Sequence, residues 1–379
     1  MENYFLSCPR GLEDVTKKQI SNYIDTPIIL DKGGVHFNGS LKDMYTINLH
    51  SRTGMRVLKN LFSFSINKPK DLYKSIYSLN WEKIIAVQKT FSIRTKLKTN
   101  LFMNSSVTTL KIKDAIVDNI RKKCGQRPSI DKRHPDIALF VFINDNTIKI
   151  YLDTSGAPLF KRGYRSQIHK AALNESLAAG LILLSNWNKK DAFYDIMCGS
   201  GTIPIEAAMI AYKIAPGLYR NNFAFTKFDD FNKSLWNKLI DDAKNNINLN
   251  NDIQIFGSDH IKENIELSIN SVKTIGIKEY VNFTTSDMKS IEVKDSPGTI
   301  ILNPPYGNRM GDNNHLHSLY RTLGDIFKNN FSGYHAYIFS GNLDAIKSVG
   351  LRSKKRIILK NGTIDCRLVY YPMKIGKYD

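Results

Sequence analysis

Apolar residues recur along the chain at two periods, and the changes of period divide it into stretches. In residues 1–55, Tyr4-Phe5-Leu6-Ser7 reads as a strand, while Leu12, Val15, Ile20 and Ile24 fall at helical spacing. Gly33-Gly34-Val35-His36-Phe37 reads as a turn entering a strand, and residues 41–51 as a second helix. This βαββα-like order suits a small α+β unit. Residues 56–155 make a second one. A helix over 71–78 precedes the stretch 90–97, where Phe91, Ile93, Thr95 and Leu97 alternate with charged positions. Arg94, Lys96 and Lys98 share the other side, which predicts a half-buried strand with a basic outer face. Residues 107–121 form an amphipathic helix. Strands at 138–143 and 147–153 follow, joined by the turn Asn144-Asp145-Asn146.

Residues 156–170 read as a connector that includes Lys161-Arg162-Gly163-Tyr164-Arg165. From 171 to 379, strand and helix patterns alternate, as in a parallel sheet covered on both faces. The predicted strands are 192–197, 253–257, 280–284, 299–302 and 335–339. Residues 356–359 and 366–371 close the sheet as a hairpin around Asn361-Gly362, with a loop longer than two residues.

A chain of 379 residues exceeds one ordinary core, so two or three domains are expected. Net charge is +19 and unevenly spread. Residues 1–165 hold 28 Lys+Arg against 14 Asp+Glu, a net of +14, and the remainder holds 26 against 21, a net of +5. A basic module attached to a nearly balanced one suggests polyanion docking beside a catalytic domain. Cys8, Cys124, Cys198 and Cys366 lie far apart, which disfavours both a disulfide scaffold and a zinc site. With no secretory pattern at Met1-Glu2-Asn3-Tyr4 and no long apolar run, a cytoplasmic, reduced protein without metal is expected.

The candidate chemistry lies at strand ends. Thr299-Ile300-Ile301-Leu302 runs into Asn303-Pro304-Pro305-Tyr306. An amide at the carboxyl end of a buried parallel strand sits where open α/β sheets bind ligands. The prolines stiffen the backbone, and Tyr306 offers a face for stacking. The Asn303 amide oxygen and the Pro304 carbonyl can accept from the amino group of a flat base while a methyl is delivered to it. Upstream, Asp195-Ile196-Met197-Cys198-Gly199-Ser200-Gly201-Thr202 follows a strand and opens a helix. Gly199 and Gly201 let backbone approach a ligand closely. The pattern is neither GxGxxG nor GxxxxGK[ST]. Asp195 beside the loop would repel a diphosphate but pair with the ammonium of S-adenosylmethionine. Asp259, next to His260, can take ribose hydroxyls, and Asp287 can accept from adenine with Met288 against the ring. Each of these two carboxylates could equally cap a helix.

These motifs resemble those of class I S-adenosylmethionine-dependent RNA methyltransferases of the THUMP-domain group, the RlmL type. The likeness extends to Cys8-Pro9-Arg10-Gly11-Leu12-Glu13, Ala171-Ala172-Leu173-Asn174-Glu175-Ser176, Ala215-Pro216-Gly217-Leu218 and Asn361-Gly362-Thr363-Ile364-Asp365-Cys366-Arg367. Ile196 stands where the family usually has proline. The resemblance implies three domains: a ferredoxin-like domain (1–55), a THUMP RNA-binding domain (56–155) and, after the connector, a Rossmann-like domain (171–379) with a mostly parallel seven-stranded sheet. It implies N2-methylation of a guanosine in large-subunit ribosomal RNA. Adenine-N6 methylation of RNA or DNA, and a non-catalytic ribosome-assembly factor, are the alternatives. Expected RNA contacts are Arg94, Lys96, Lys98, Lys161, Arg162 and Arg165. His260, Arg309 and residues 310–317 are expected to flank the pocket, with His315 and His317 on a surface loop. The basic run at 352–356 is either a solvated turn or an RNA-facing rim.

Overall fold

A computed structural model describes residues 1–165, 173–250, 252–293, 297–306 and 313–376. The first two stretches of sequence share one sheet. The chain begins with β1 (Glu2–Ser7), α1 (Glu13–Ile20), β2 (Ile29–Asp31), β3 (Gly34–Gly39) and α2 (Leu41–His50), the expected βαββα order. Next come β4 (Arg56–Ser65), α3 (Asp71–Tyr77), β5 (Thr90–Lys98), α4 (Ser105–Cys124), β6 (Ser129–Ile130), β7 (Ile137–Asn144) and β8 (Thr147–Asp153). The strand order is β2-β3-β1-β4-β8-β7-β5-β6. β4 joins the two units, pairing with β1 on one side and β8 on the other. It is missing from the sequence reading because its register shifts between Asn60 and Phe62, which breaks the period-2 pattern. β7 keeps that pattern throughout. Ile137, Leu139, Val141 and Ile143 bury against α3 and α4, and Phe140 and Phe142 lie half-buried on the opposite face.

The second sheet begins after α5 (Glu175–Leu184). It is built from β9 (Ala192–Asp195), α6 (Thr202–Ala211), α7 (Lys233–Asn245), β10 (Ile255–Asp259), α8 (Lys262–Thr274), β11 (Asn282–Thr285) and β12 (Gly298–Leu302). It ends with α9 (Asn313–Asn330), β13 (His335–Ser340), α10 (Leu343–Lys347), β14 (Lys355–Asn361) and β15 (Ile364–Pro372). In the order β11-β10-β9-β12-β13-β15-β14, the first five strands are parallel and the last two antiparallel. Ile301 packs toward α5 and α6, and Ile300 and Leu302 toward α9, so β12 is buried on both faces. The closing hairpin departs from expectation. Asn361 pairs with Ile364, leaving a two-residue loop at Gly362, which has φ 61°, and Thr363.

The N-terminal units are seated firmly on this domain. Lys360 N donates to the Arg10 carbonyl at 3.1 Å. Gly11, at φ 91°, has the Ile358 carbonyl where a Cβ would stand, and Leu12 fills the space over Gly180. Tyr4, Leu6 and Ile47 share a core with Phe223, Phe225 and Leu239. No helix among the described residues is long and apolar enough to cross a membrane.

Candidate active site

The sheet order places four strand ends side by side. From β11 to β12 they carry Asp287, Asp259, Asp195 and Asn303, at the carboxyl edge and across the switch point between β9 and β12.

Asp195 is buried, and its Oδ1 accepts from Met197 N at 3.1 Å. Burial pushes its pKa up to about 8, with the nearby Asp259 charge adding to the rise against the pull of that hydrogen bond. No cation bonds it among the described residues. Gly199 (φ 53°) and Gly201 (φ 75°) form the turn into α6. A Cβ at Gly201 would press on Ser268 Oγ at 2.7 Å, so that glycine serves packing as well as the turn. A Cβ at Gly199 would meet nothing within 4 Å. Open space lies against that backbone, as a bound ligand needs. Cys198 is buried with its thiol pKa pushed well up by burial, Met197 is half-buried, and Thr202 is buried.

Asp259 ties the loop down. Its Oδ2 accepts from Gly199 N at 3.0 Å, and its Oδ1 from Ile261 N at 2.9 Å and Asn264 Nδ2 at 3.2 Å. A carboxylate has about four acceptor positions, so this leaves about one, fewer than a grip on two ribose hydroxyls needs. Asn264 carries no pattern in the sequence that marks it. His260 is exposed, its Nδ1 3.7 Å from Asp259 Oδ1. Asp287 is exposed and caps a short turn through Lys289 N at 2.8 Å, and Met288 packs half-buried against the core.

Asn303 follows β12 with its Oδ1 buried and without a hydrogen-bond partner among the described residues. An unpaired buried acceptor costs about 1–3 kcal/mol, and a ligand donor would recover that cost. Pro304 is buried, and the Pro305 carbonyl accepts from Tyr320 OH at 3.4 Å. Tyr306 is half-buried, edge-on to Phe339, and its hydroxyl accepts from Asn361 Nδ2 at 2.7 Å. Burial raises the Tyr306 pKa to about 12. Asn361, which stood out in the sequence as a hairpin residue and in the family likeness, thus holds the Tyr306 ring.

The predicted basic contacts separate. Arg94, Lys96 and Lys98 are exposed on β5 and line a groove of about 1290 Å³. Its lining runs across the first sheet to Lys360, Asn361, Gly362 and Thr363, ending at the residue that holds Tyr306. Eight Lys or Arg line it, against one carboxylate, Asp31. Lys161 is exposed as well. Arg162 is not a surface contact: it is 1% exposed, pairs with Glu206 at 3.3 Å, and donates to the carbonyls of Leu159, Ser51 and Arg52. Arg165 is also turned inward, pairing with Glu175 at 3.2 Å and donating to Thr202 Oγ1. His315 and His317 lie in α9 rather than on a loop, with His317 Nδ1 2.7 Å from Ser348 Oγ. Gly307, Arg309, residues 310–312, Ala171 and Ala172 lie outside the described residues. Among the described residues no group of His, Cys, Asp and Glu could hold a metal ion.

The family described as the RMKL-like methyltransferase domain matches residues 162–370, more than half of the chain. The chain belongs to the RMKL-like methyltransferases. The THUMP domain matches residues 67–153 and the RlmL ferredoxin-like domain residues 3–58. Similar solved structures include a possible methylase from Clostridium difficile 630, at 30% identity over all of both chains and TM-score 0.90. SMU.472 complexed with SAH is 26% identical over 99% of both chains, TM-score 0.89. A predicted N6-adenine-specific DNA methylase from Listeria monocytogenes is 26% identical over 98% of this chain and 96% of that one, TM-score 0.87. The cofactor of this RMKL-like methyltransferase is S-adenosylmethionine. The buried, cation-free Asp195 and the open backbone at Gly199 fit it.

Proposed function

We propose that this chain transfers a methyl group to the N2 amino group of a guanosine in RNA, with large-subunit ribosomal RNA as the substrate. The observation that carries the reading is the buried Asn303 Oδ1, which has no partner among the described residues and stands at the end of β12 beside two prolines. S-adenosylmethionine, when bound, supplies a methyl group on a positively charged sulfur. Asp195 would pair with its ammonium, Asp259 would reach one ribose hydroxyl while holding the glycine loop, and Asp287 with Met288 would flank the adenine. Met197, Cys198 and Thr202 complete the wall.

The guanine N2 lone pair is delocalised into the ring, which makes it a poor nucleophile. Acceptance of its protons by Asn303 Oδ1 and the Pro304 carbonyl orients the nitrogen and stabilises the positive charge that develops on it. Tyr306, anchored by Asn361, stacks on the base. The N–C bond would form as the methyl's bond to sulfur breaks; the N2 proton becomes acidic only then and would be lost to water, so no strong base is required. RNA is supported as the polymer by the THUMP match and by the basic groove that ends at Asn361. The N-terminal units (1–55 and 56–155) are assigned to RNA docking and residues 171–379 to catalysis.

Adenine-N6 transfer is the second reading, favoured by the likeness to the Listeria protein and by an amino-group chemistry that the same residues would serve. Nucleoside mass spectrometry of ribosomal RNA from a strain lacking the protein separates the two. Loss of N2-methylguanosine is expected, and loss of N6-methyladenosine would replace the first reading with the second. Asn303→Ala is expected to lower turnover on the order of 10²–10³-fold with cofactor affinity within a few-fold. Unchanged turnover would remove Asn303 from the chemistry.

A further inference from the structure

The groove does more than collect positive charge. On its face of the first sheet, one row sets an aromatic ring between two cations. Lys96 on β5 lies opposite Phe142 on β7, and Phe142 lies opposite Lys149 on β8. In the next row Arg94 lies opposite Phe140, with its guanidinium 5.1 Å from the ring centroid, and Phe140 lies opposite Tyr151. Phe140 and Phe142 are half-buried, unlike the alternate residues of β7, which are sealed under α3 and α4.

Phosphates need only the cations. A half-exposed ring between them, Phe142, adds a stacking surface that every base can use, but only when the base's face is free. In a duplex the base faces are hidden by their neighbours, and the N2 amino group lies in the minor groove. We propose that this groove takes an unpaired RNA strand, of which a base stacks on Phe142 between Lys96 and Lys149 and whose path runs to the β14–β15 hairpin beside Tyr306. The inference rests on the RNA reading above and specifies the form of the RNA. A strand already unpaired also lowers the cost of turning the target base into the pocket.

The test uses the full-length protein and a fluorescently labelled mixed-sequence RNA of about 12 nucleotides, alone or annealed to its complement. Binding is followed by anisotropy across a salt series. Wild-type protein should prefer the unpaired strand. Phe142→Leu should weaken binding of that strand about tenfold while duplex binding and the salt slope stay fixed, because a stacking contact is lost and no phosphate contact is. Phe142→Tyr should restore the affinity, which separates stacking from a folding defect. Equal loss on both forms, or no preference in the wild type, would overturn the proposal and leave RNA docking intact. Absence of binding to either form would overturn both.

Discussion

Two basic runs of similar composition have opposite fates in this molecule. Arg94, Lys96 and Lys98 stand exposed on β5 over a groove. Arg162 and Arg165, one and four residues after Lys161 in a run that reads as equally basic, turn their side chains inward and pair with Glu206 and Glu175. The difference is one of partners. β5 alternates, so its cations share one face with no carboxylate beside them in sequence. The connector crosses the junction between units, where α5 and α6 each bring a glutamate and where carbonyls of residues 51, 52 and 159 need donors. Arginine suits that place because its planar fork satisfies several acceptors at once. A count of positive charge therefore overstates the exposed charge of the connector and matches that of β5.

Removing a partner inside the junction should have the largest effect. Arg162→Ala leaves Glu206 buried without its cation, and breaking such a pair costs about 3–5 kcal/mol. Chemical denaturation should show that loss, with the salt dependence of RNA binding unchanged. A loss of salt slope without a loss of stability would return Arg162 to the RNA surface. On β5 the expectation inverts. Replacing Arg94, Lys96 and Lys98 with Ala should leave the denaturation midpoint nearly fixed. RNA affinity should fall and its salt dependence flatten by roughly one unit of slope per lost phosphate contact. An unchanged slope would move the docking track away from this strand. Point variants are the right tools because residues 1–57 and 159–243 share a core, and cutting the chain between them would expose it.

Much of this was legible in the sequence where period and position coincide. The five parallel strands were marked by short apolar runs, and Asp195, Asp259 and Asn303 stood at strand ends, the edge where open α/β sheets generally bind ligands. β4 was hidden by its register shift. The inward turn of Arg162 was hidden because Glu206 lies 44 residues away on another element. Asn361 and Asn264 were illegible as site residues for the same reason: their partners, Tyr306 and Asp259, are met only in space.

Asp195 sharpens the contrast from the opposite sign. It is a buried carboxylate without the cation that Glu206 and Glu175 have, and its pKa stands near 8. Its folded-state pKa is raised above the unfolded value, so the favourable protonated contribution is present below about pH 4 and is lost as pH rises through about 8. An arriving ammonium favours the ionised form. S-adenosylmethionine affinity, measured by calorimetry, should therefore rise with pH toward about 8, by at most roughly tenfold per unit, and fall beyond it as the ligand's own ammonium loses its proton. Asp195→Asn should bind weakly with that pH dependence removed. The same rise in the Asn variant would assign the titration to another group.

The smallest effect is expected at the other inward arginine. Arg165 links Glu175 at the start of α5 to Thr202, the first residue of α6 after Gly201. It touches the glycine loop from behind and does not face the groove, so its influence should reach the cofactor and not the RNA. Lysine at this position keeps the charge near Glu175 but cannot bond two acceptors in a plane, so the hold on Thr202 should slacken while the ion pair survives. Arg165→Lys should weaken S-adenosylmethionine binding by roughly the value of one hydrogen bond, about 0.5–1.5 kcal/mol or a few-fold. Turnover at saturating cofactor and the salt slope of RNA binding should both stay at wild-type values. A flattened salt slope in this variant would mean that Arg165 belongs with the exposed cations of β5, and the division between the two basic runs would fall.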